Sequence, residues 1–307
     1  MIFIFFIISN VFAQEKPTYS PYTIETTYQK LKKDHPFITP IEPLKSKEIK
    51  SKENIVYKKT NSSKLKLDVY IPKGRDSNKT YPAVLLIHGG GWLVGSKENE
   101  RVMAQHLALN GYVGISVSYR LGFEAPYPAG VIDLKDAIRW MRKNAKKHHI
   151  NPDKIAVLGA SAGAQLATLI GVTPNSSVYG FDSFISDDVQ AIVNIDGIVS
   201  FIHPEASGEG KMAGIWLSGL KHENFKNWKE ASPLEYVDEH SPPTLFINSA
   251  QPRFHAGRDD MMTLLNKYNT YTETHTIPDS PHSFWLMHPW FETTLSYTVN
   301  FLNVVFK

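Results

Sequence analysis

From residue 54 onward, apolar and polar positions fall into a regular succession of strands and helices. LKLDVYI (65–71) alternates and reads as a half-buried strand, whereas AVLLIH (83–88) is a near-continuous apolar run suited to a strand covered on both faces. YVGISVSY (112–119), KIAVLG (154–159), VQAIVNI (189–195), PTLFINS (243–249) and YTETHTI (271–277) predict further strands. Helices are predicted over 97–109, from Ala162 onward, over 257–268 and over 290–303. Another spans 129–147, where Val131, Leu134, Ala137, Ile138 and Met141 recur at helical spacing behind Pro128. Strands that alternate with helices predict an α/β fold: a mostly parallel central sheet with right-handed crossovers placing helices on both faces. Residues 197–240 break the alternation with Trp216, Trp228, SGEGK and ASPLEYV, and predict a small cap insertion over the top of the sheet.

Residues 14–52 lie outside that rhythm. They carry Pro17, Pro21, Pro36, Pro40 and Pro43, run into the polar stretch KSKEIKSKEN, and read as an N-terminal arm or linker. The first thirteen residues, MIFIFFIISNVFA, have the apolar run of a signal peptide, with Val11 and Ala13 spaced for cleavage after Ala13. The run is too short to span a bilayer, so the expectation is a secreted or periplasmic protein without membrane insertion once the leader is removed. The chain has 307 residues, enough for one large domain over 53–307. It has no cysteine, which excludes thiol chemistry and disulfides. Its net charge of +3 is too mild to imply nucleic acid, yet would not repel a polyanionic substrate.

Three sequence features then point to chemistry. Gly159-Ala160-Ser161-Ala162-Gly163 is a G-x-S-x-G sequence set between a buried strand and a helix. That placement puts a serine on a sharp, strained turn at the amino end of a helix, the arrangement a nucleophile requires. Upstream, His88-Gly89-Gly90-Gly91-Trp92 follows another buried strand, and its glycines let backbone amides approach a ligand without side chains in the way. The amides of Gly90, Gly91 and Ala162 are the predicted oxyanion hole. His282, one of twelve histidines, follows the last predicted strand and precedes the last helix, where a general base would complete the order nucleophile, acid, base.

HGGGW, Tyr119-Arg120-Leu121, Asp133, GASAGAQLA and Ala231-Ser232-Pro233 together resemble the esterase and lipase group that shares the HGGG motif. Within it, the chain is similar to secreted bacterial carbohydrate esterases, acetyl-xylan, feruloyl and pectin esterases among them. The likeness covers about 55–307. It implies an α/β-hydrolase fold, no metal and no cofactor, and Arg120 and Asp133 as structural partners beside the site. Many relatives carry Gly-x-x-Asp directly after the strand corresponding to 243–249, but Asn248-Ser249-Ala250-Gln251-Pro252 holds no carboxylate. The acid is therefore expected at Asp260, on the helix face of Leu264, with Asp259 as the alternative.

Arg253, His255 and Arg258 cluster in the same loop. Either they form a solvated basic surface or, with Trp92, they bind substrate, the guanidinium forks clamping a uronate carboxylate. RFHAGRDDM followed by PHSFW resembles esterases that act on pectin. The reading that results is a serine esterase removing methyl or acetyl groups from a polysaccharide, pectin favoured. A small-ester or lipid carboxylesterase, a peptidase of the same fold and a hydrolase-like scaffold kept only for binding remain open.

Overall fold

The computed structural model describes residues 19–74, 79–180, 184–208 and 210–307. The predicted leader, 1–13, lies outside them. Eight strands form one sheet: β1 (Ile49–Lys59), β2 (Lys64–Pro72), β3 (Tyr81–Ile87), β4 (Val113–Val117), β5 (Ile150–Ala160), β6 (Ala191–Ile195), β7 (Thr244–Asn248) and β8 (Thr272–Thr276). Their spatial order is β1-β2-β4-β3-β5-β6-β7-β8. β2 runs antiparallel to both β1 and β4, and every other neighbouring pair is parallel. The helices are α1 (Ile24–Leu31), α2 (Arg101–Leu109), α3 (Ala129–Lys143), α4 (Ala162–Val172), α5 (Lys211–Trp216), α6 (Phe225–Glu230), α7 (Arg258–Lys267) and α8 (Trp290–Val305).

The pleat divides the core in two. Leu85 and Ile87 of β3 join a cluster with α3, α4 and α7, while Val84 and Leu86 face the opposite cluster, built on α2 and α8. Both faces are covered, which is why the central strands read as near-continuous apolar runs. The two edges are polar instead. β1 is IKSKENIVYKK and β8 is TETHT, and charged edges discourage pairing with another chain. β1 starts at Ile49, inside the stretch expected to be an arm: its first half, Lys50 to Asn54, is exposed and shows no apolar alternation, and only Ile55 and Tyr57 further on pack against the core. Two predicted helices begin or end in 3-10 turns: 97–100 precedes α2, and 146–148 follows α3.

The segment before β1 is packed against the body of the protein. Thr23 caps α1, its Oγ1 accepting the Thr26 amide at 3.1 Å while the Thr23 amide donates to Thr26 Oγ1 at 3.0 Å. Ile38 and Ile41 are buried, Thr39–Pro40 pair antiparallel with Met287–His288, and the Ile41 amide donates to the Leu286 carbonyl. The insertion between β6 and β7 holds α5, α6 and short 3-10 turns, and Trp216 of α5 stacks on Trp92 with centroids 5.2 Å apart.

The turn from β5 to α4 is tightly packed. A Cβ on Gly159 would lie 1.9 Å from the Gly163 carbonyl oxygen, and one on Gly163 would lie 2.1 Å from the Ile87 carbonyl oxygen. Both obstacles are backbone, so neither yields without moving the sheet or the helix. Gly159→Ala is expected to cost at least ~1–3 kcal/mol, as overpacking does, seen as a lowered melting temperature in calorimetry. Gly208→Ala, where nothing lies within 4 Å of the added carbon, is the control and should melt like the parent.

Candidate active site

Ser161 occupies the turn itself, with φ 56 and ψ −123, a left-handed conformation that costs a non-glycine residue energy and is held by its surroundings. Its amide donates to the Ile195 carbonyl at 2.8 Å, tying it to the end of β6. Above it lies the loop after β3. A Cβ on Gly89 would sit 2.7 Å from the Ala160 carbonyl oxygen and 3.0 Å from Ser161 Cβ, so only glycine lets the loop come this close. Gly90 and Gly91 follow with φ 115 and 57. Among the described residues, no group accepts a hydrogen bond from the amides of Gly90, Gly91 or Ala162. His88 anchors the loop from below: burial pushes its imidazole down to about 4, its Nδ1–H donates to the Gly89 carbonyl at 2.8 Å, and its ring stacks on Tyr119.

His282 closes the arrangement. Its Nε2 is 2.9 Å from Ser161 Oγ, and its Nδ1 is 2.6 Å from Asp196 Oδ2. Phe254 stacks flat on the imidazole with centroids 3.5 Å apart, and Trp285 meets it edge-on at 5.1 Å. The acid beside His282 is thus Asp196, the first residue after β6. Register explains why. β6 is the neighbour of β5, with Ile195 paired to Ala160, so the residues that follow, Asp196 and Ser161, emerge level on the carboxyl rim of the sheet. Asp196 Oδ1 accepts the Ser249 amide at 2.8 Å. Burial alone would raise this carboxyl, but the nearby imidazoles of His255 and His282 and the Ser249 amide outweigh it and hold it at about 2. Asp196 is therefore an anion, and its contact fixes the His282 proton on Nδ1 and leaves Nε2 free to accept from Ser161.

Neither Asp260 nor Asp259 reaches His282. Asp260 is 65% exposed and lies 3.3 Å from His203 Nε2, and Asp259 is 77% exposed and pairs with Arg258 Nε at 2.8 Å. The 3-10 turn Pro252–His255 fills the space after β7 and carries the first turn of α7 outward. The one trace of Asp196 in the sequence is its place at the end of a buried strand, before Gly197, on the rim where ligands bind, and that place alone does not assign it a role.

Other predicted binding residues are also redirected. Trp92 is 4% exposed, donates its Nε1–H to Gln165 Oε1 at 2.8 Å and supports Trp216, so it is a buttress of the cap. Arg258 is turned to Asn248 Oδ1 at 2.8 Å and to Asp259, and His255 points its Nε2 toward Asp196 at 3.4 Å. Of the three basic residues, Arg253 stands on the exposed turn, its guanidinium 4.5 Å from the Phe254 ring centroid. Arg120 and Asp133, expected as structural partners beside the site, form a two-pronged ion pair at 2.7 and 2.8 Å, with Lys58 a third partner at 2.7 Å. Among the described residues, no group of three or more His, Asp or Glu is placed to hold a metal ion, and no helix is long and apolar enough to cross a membrane.

A serine on a strand-to-helix turn, a glycine loop above it and a histidine–aspartate pair on the carboxyl rim define an α/β-hydrolase. Solved structures agree on the fold. A truncated carbohydrate esterase from gut microbiota superposes with TM-score 0.69 at 22% identity, covering 85% of this chain and 99% of that one. Esterase 2 of the planctomycete Thermogutta terrifontis, with propionate bound, gives 0.70 at 24% identity over 82% and 94%. Residues 67–254 match the BD-FAE family, and the chain belongs to it. Esterase LipC of Mycobacterium tuberculosis (strain ATCC 25618 / H37Rv) is 28% identical over 192 residues, 60% of this chain and 47% of that protein. The chain spans less than half the length of the first such relatives.

Two outcomes follow from Asp196. Asp196→Asn should lower kcat on p-nitrophenyl acetate by about 10⁴ by favouring the wrong imidazole tautomer, while Asp260→Asn and Asp259→Asn stay within about twofold of the parent. The fold also favours the ionised carboxyl, lowered from 3.8 to about 2, so this contribution is complete above the unfolded value and lost as pH falls through that interval. Acid unfolding should show the parent losing about 2 kcal/mol relative to Asp196→Asn between roughly pH 4 and pH 2. A constant difference over that range would contradict the assignment.

Proposed function

We propose that the chain is a serine ester hydrolase working through an acyl-enzyme on Ser161, on esters carried by a polysaccharide. One observation carries the chemistry: the Ser161–His282–Asp196 line of hydrogen bonds lies beside amides that have no acceptor among the described residues. Ser161 Oγ attacks the ester carbonyl as His282 Nε2 takes its proton. The carbonyl oxygen, now an anion, is held by the amides of Gly90, Gly91 and Ala162, the last being the first residue of α4 and so at the positive end of its dipole. His282 returns the proton to the leaving alkoxide, and water then cleaves the acyl-enzyme by the same steps. Relatives named as esterases support this activity.

For the substrate, support comes from two solved neighbours named as carbohydrate-active: the gut carbohydrate esterase and a bifunctional GH43-CE protein of Bacteroides eggerthii. Pectin is the first candidate, now on Arg253, since His255 and Arg258 face inward. Export through the apolar leader accords with a polymer outside the cell.

Ser161→Ala should abolish turnover, since removing a member of such a triad costs about 10⁴–10⁶ in rate, without lowering the melting temperature. Methanol release from methyl-esterified polygalacturonate should exceed acetate release from acetyl-xylan. Arg253→Ala should raise KM on the pectin substrate and leave p-nitrophenyl acetate unchanged, because an ion pair contributes only when the substrate carries the matching charge. Equal losses on both substrates would remove the case for pectin, and turnover confined to small esters would leave a general carboxylesterase.

A further inference from the structure

His255 ends the 3-10 turn between β7 and α7, inside the wall of the site. The groups around it are few. Asp196 reaches it from the end of β6, Arg258 from α7 with Asp259 beyond, and Glu205 lies nearby, accepting the Gly257 amide at 3.1 Å. His282 stands on the far side of Asp196. His255 Nδ1 is 3.4 Å from Arg258 Nη1. A guanidinium keeps all its protons and can only donate, so Nδ1 must present its lone pair, and the ring proton sits on Nε2. Arg258 is itself fixed by Asn248 and Asp259, each at 2.8 Å. Nε2 is buried and, among the described residues, has no aligned hydrogen-bond partner, yet Asp196 Oδ1 is 3.4 Å away. A buried donor left unmade beside an anionic oxygen is costly, and a small rotation of the ring closes the bond.

We propose that His255 is a positioning residue for the triad acid, donating Nε2–H to Asp196 Oδ1 in the tautomer that Arg258 dictates. Asp196 is then gripped on both oxygens: Oδ1 by Ser249 and His255, Oδ2 by His282. The carboxylate cannot rotate, and part of its charge is shared between two imidazoles. An acid supplied from the end of a strand, without the loop of its own that the usual position offers, is held in plane by this second ring. The inference rests on His282 being the general base.

The test is the pH profile of kcat/KM on p-nitrophenyl acetate for His255→Phe and His255→Gln. Loss of a hydrogen bond to a charged group is expected to cost about 10- to 100-fold in kcat for His255→Phe, with KM unchanged. Its acid limb should move to higher pH, since Asp196 then gives its whole charge to His282. His255→Gln, whose amide can donate in the same place, should restore both. A folded His255→Phe enzyme with parental kcat and an unmoved limb would overturn the proposal, as would equal losses in both variants. Whether or not His255→Phe folds, ¹⁵N spectra of the histidine-labelled parent enzyme should show His255 as the Nε2–H tautomer, and an Nδ1–H tautomer would overturn it. Failure of the underlying reading is distinguishable: the parent enzyme itself would then show no ester turnover.

Discussion

The site depends on how closely β5, α4 and β3 approach one another. Gly159 lies against the carbonyl of Gly163, and Gly163 against the carbonyl of Ile87, both at distances no side chain allows. That double contact leaves the intervening residue no room to relax, and Ser161 is kept at positive φ with its hydroxyl on the rim. The same contact aims the amino end of α4 at the space beneath the glycine loop, where Gly89 repeats the device against Ala160 and Ser161. Nucleophile, helix dipole and amide donors are therefore consequences of one packing constraint.

The remaining members arrive by register and by packing around the rim. Ile195 is paired with Ala160 on one side and Ile247 on the other, so Asp196 emerges between Ser161 and Ser249 without any special loop. His282 comes from the loop after β8, whose Ile277 amide is held by the Asn248 carbonyl at 2.9 Å. The segment after it is clasped by the N-terminal arm through Ile41 and Thr39–Pro40. Residues 38–41 thus help to place His282 although they lie far from it in sequence. The cap contributes from above: Met212 abuts Gly91, and Trp216 stacks on Trp92.

Much of this was legible in the sequence, for identifiable reasons. The central strands were visible because both faces are buried, and Ser161, His282 and the glycine loop because their chemistry demands particular residue types beside particular elements. β1 was not visible, since IKSKENIVYKK pairs on one side only and its first half is largely exposed, leaving an apolar rhythm only at Ile55 and Tyr57. Asp196 was hidden differently: one carboxylate at a strand end carries no motif, and its role follows from which strands are neighbours in space. The basic loop stayed ambiguous in the sequence, between a solvated surface and a substrate clamp, because composition does not tell which way a side chain turns. His255 and Arg258 turn inward to Asp196 and Asn248, while Arg253 stands on the exposed turn against Phe254.

The central claim is that Ser161, His282 and Asp196 act as one hydrogen-bonded unit beneath the glycine loop. The crystal structure of the enzyme inactivated by an alkyl fluorophosphonate tests it most directly. The expected adduct has phosphorus bonded to Ser161 Oγ, its free oxygen within hydrogen-bond reach of the amides of Gly90, Gly91 and Ala162, and Asp196 still on His282 Nδ1. An adduct on another residue, an oxygen turned away from those amides, or a different carboxylate on His282 would contradict it.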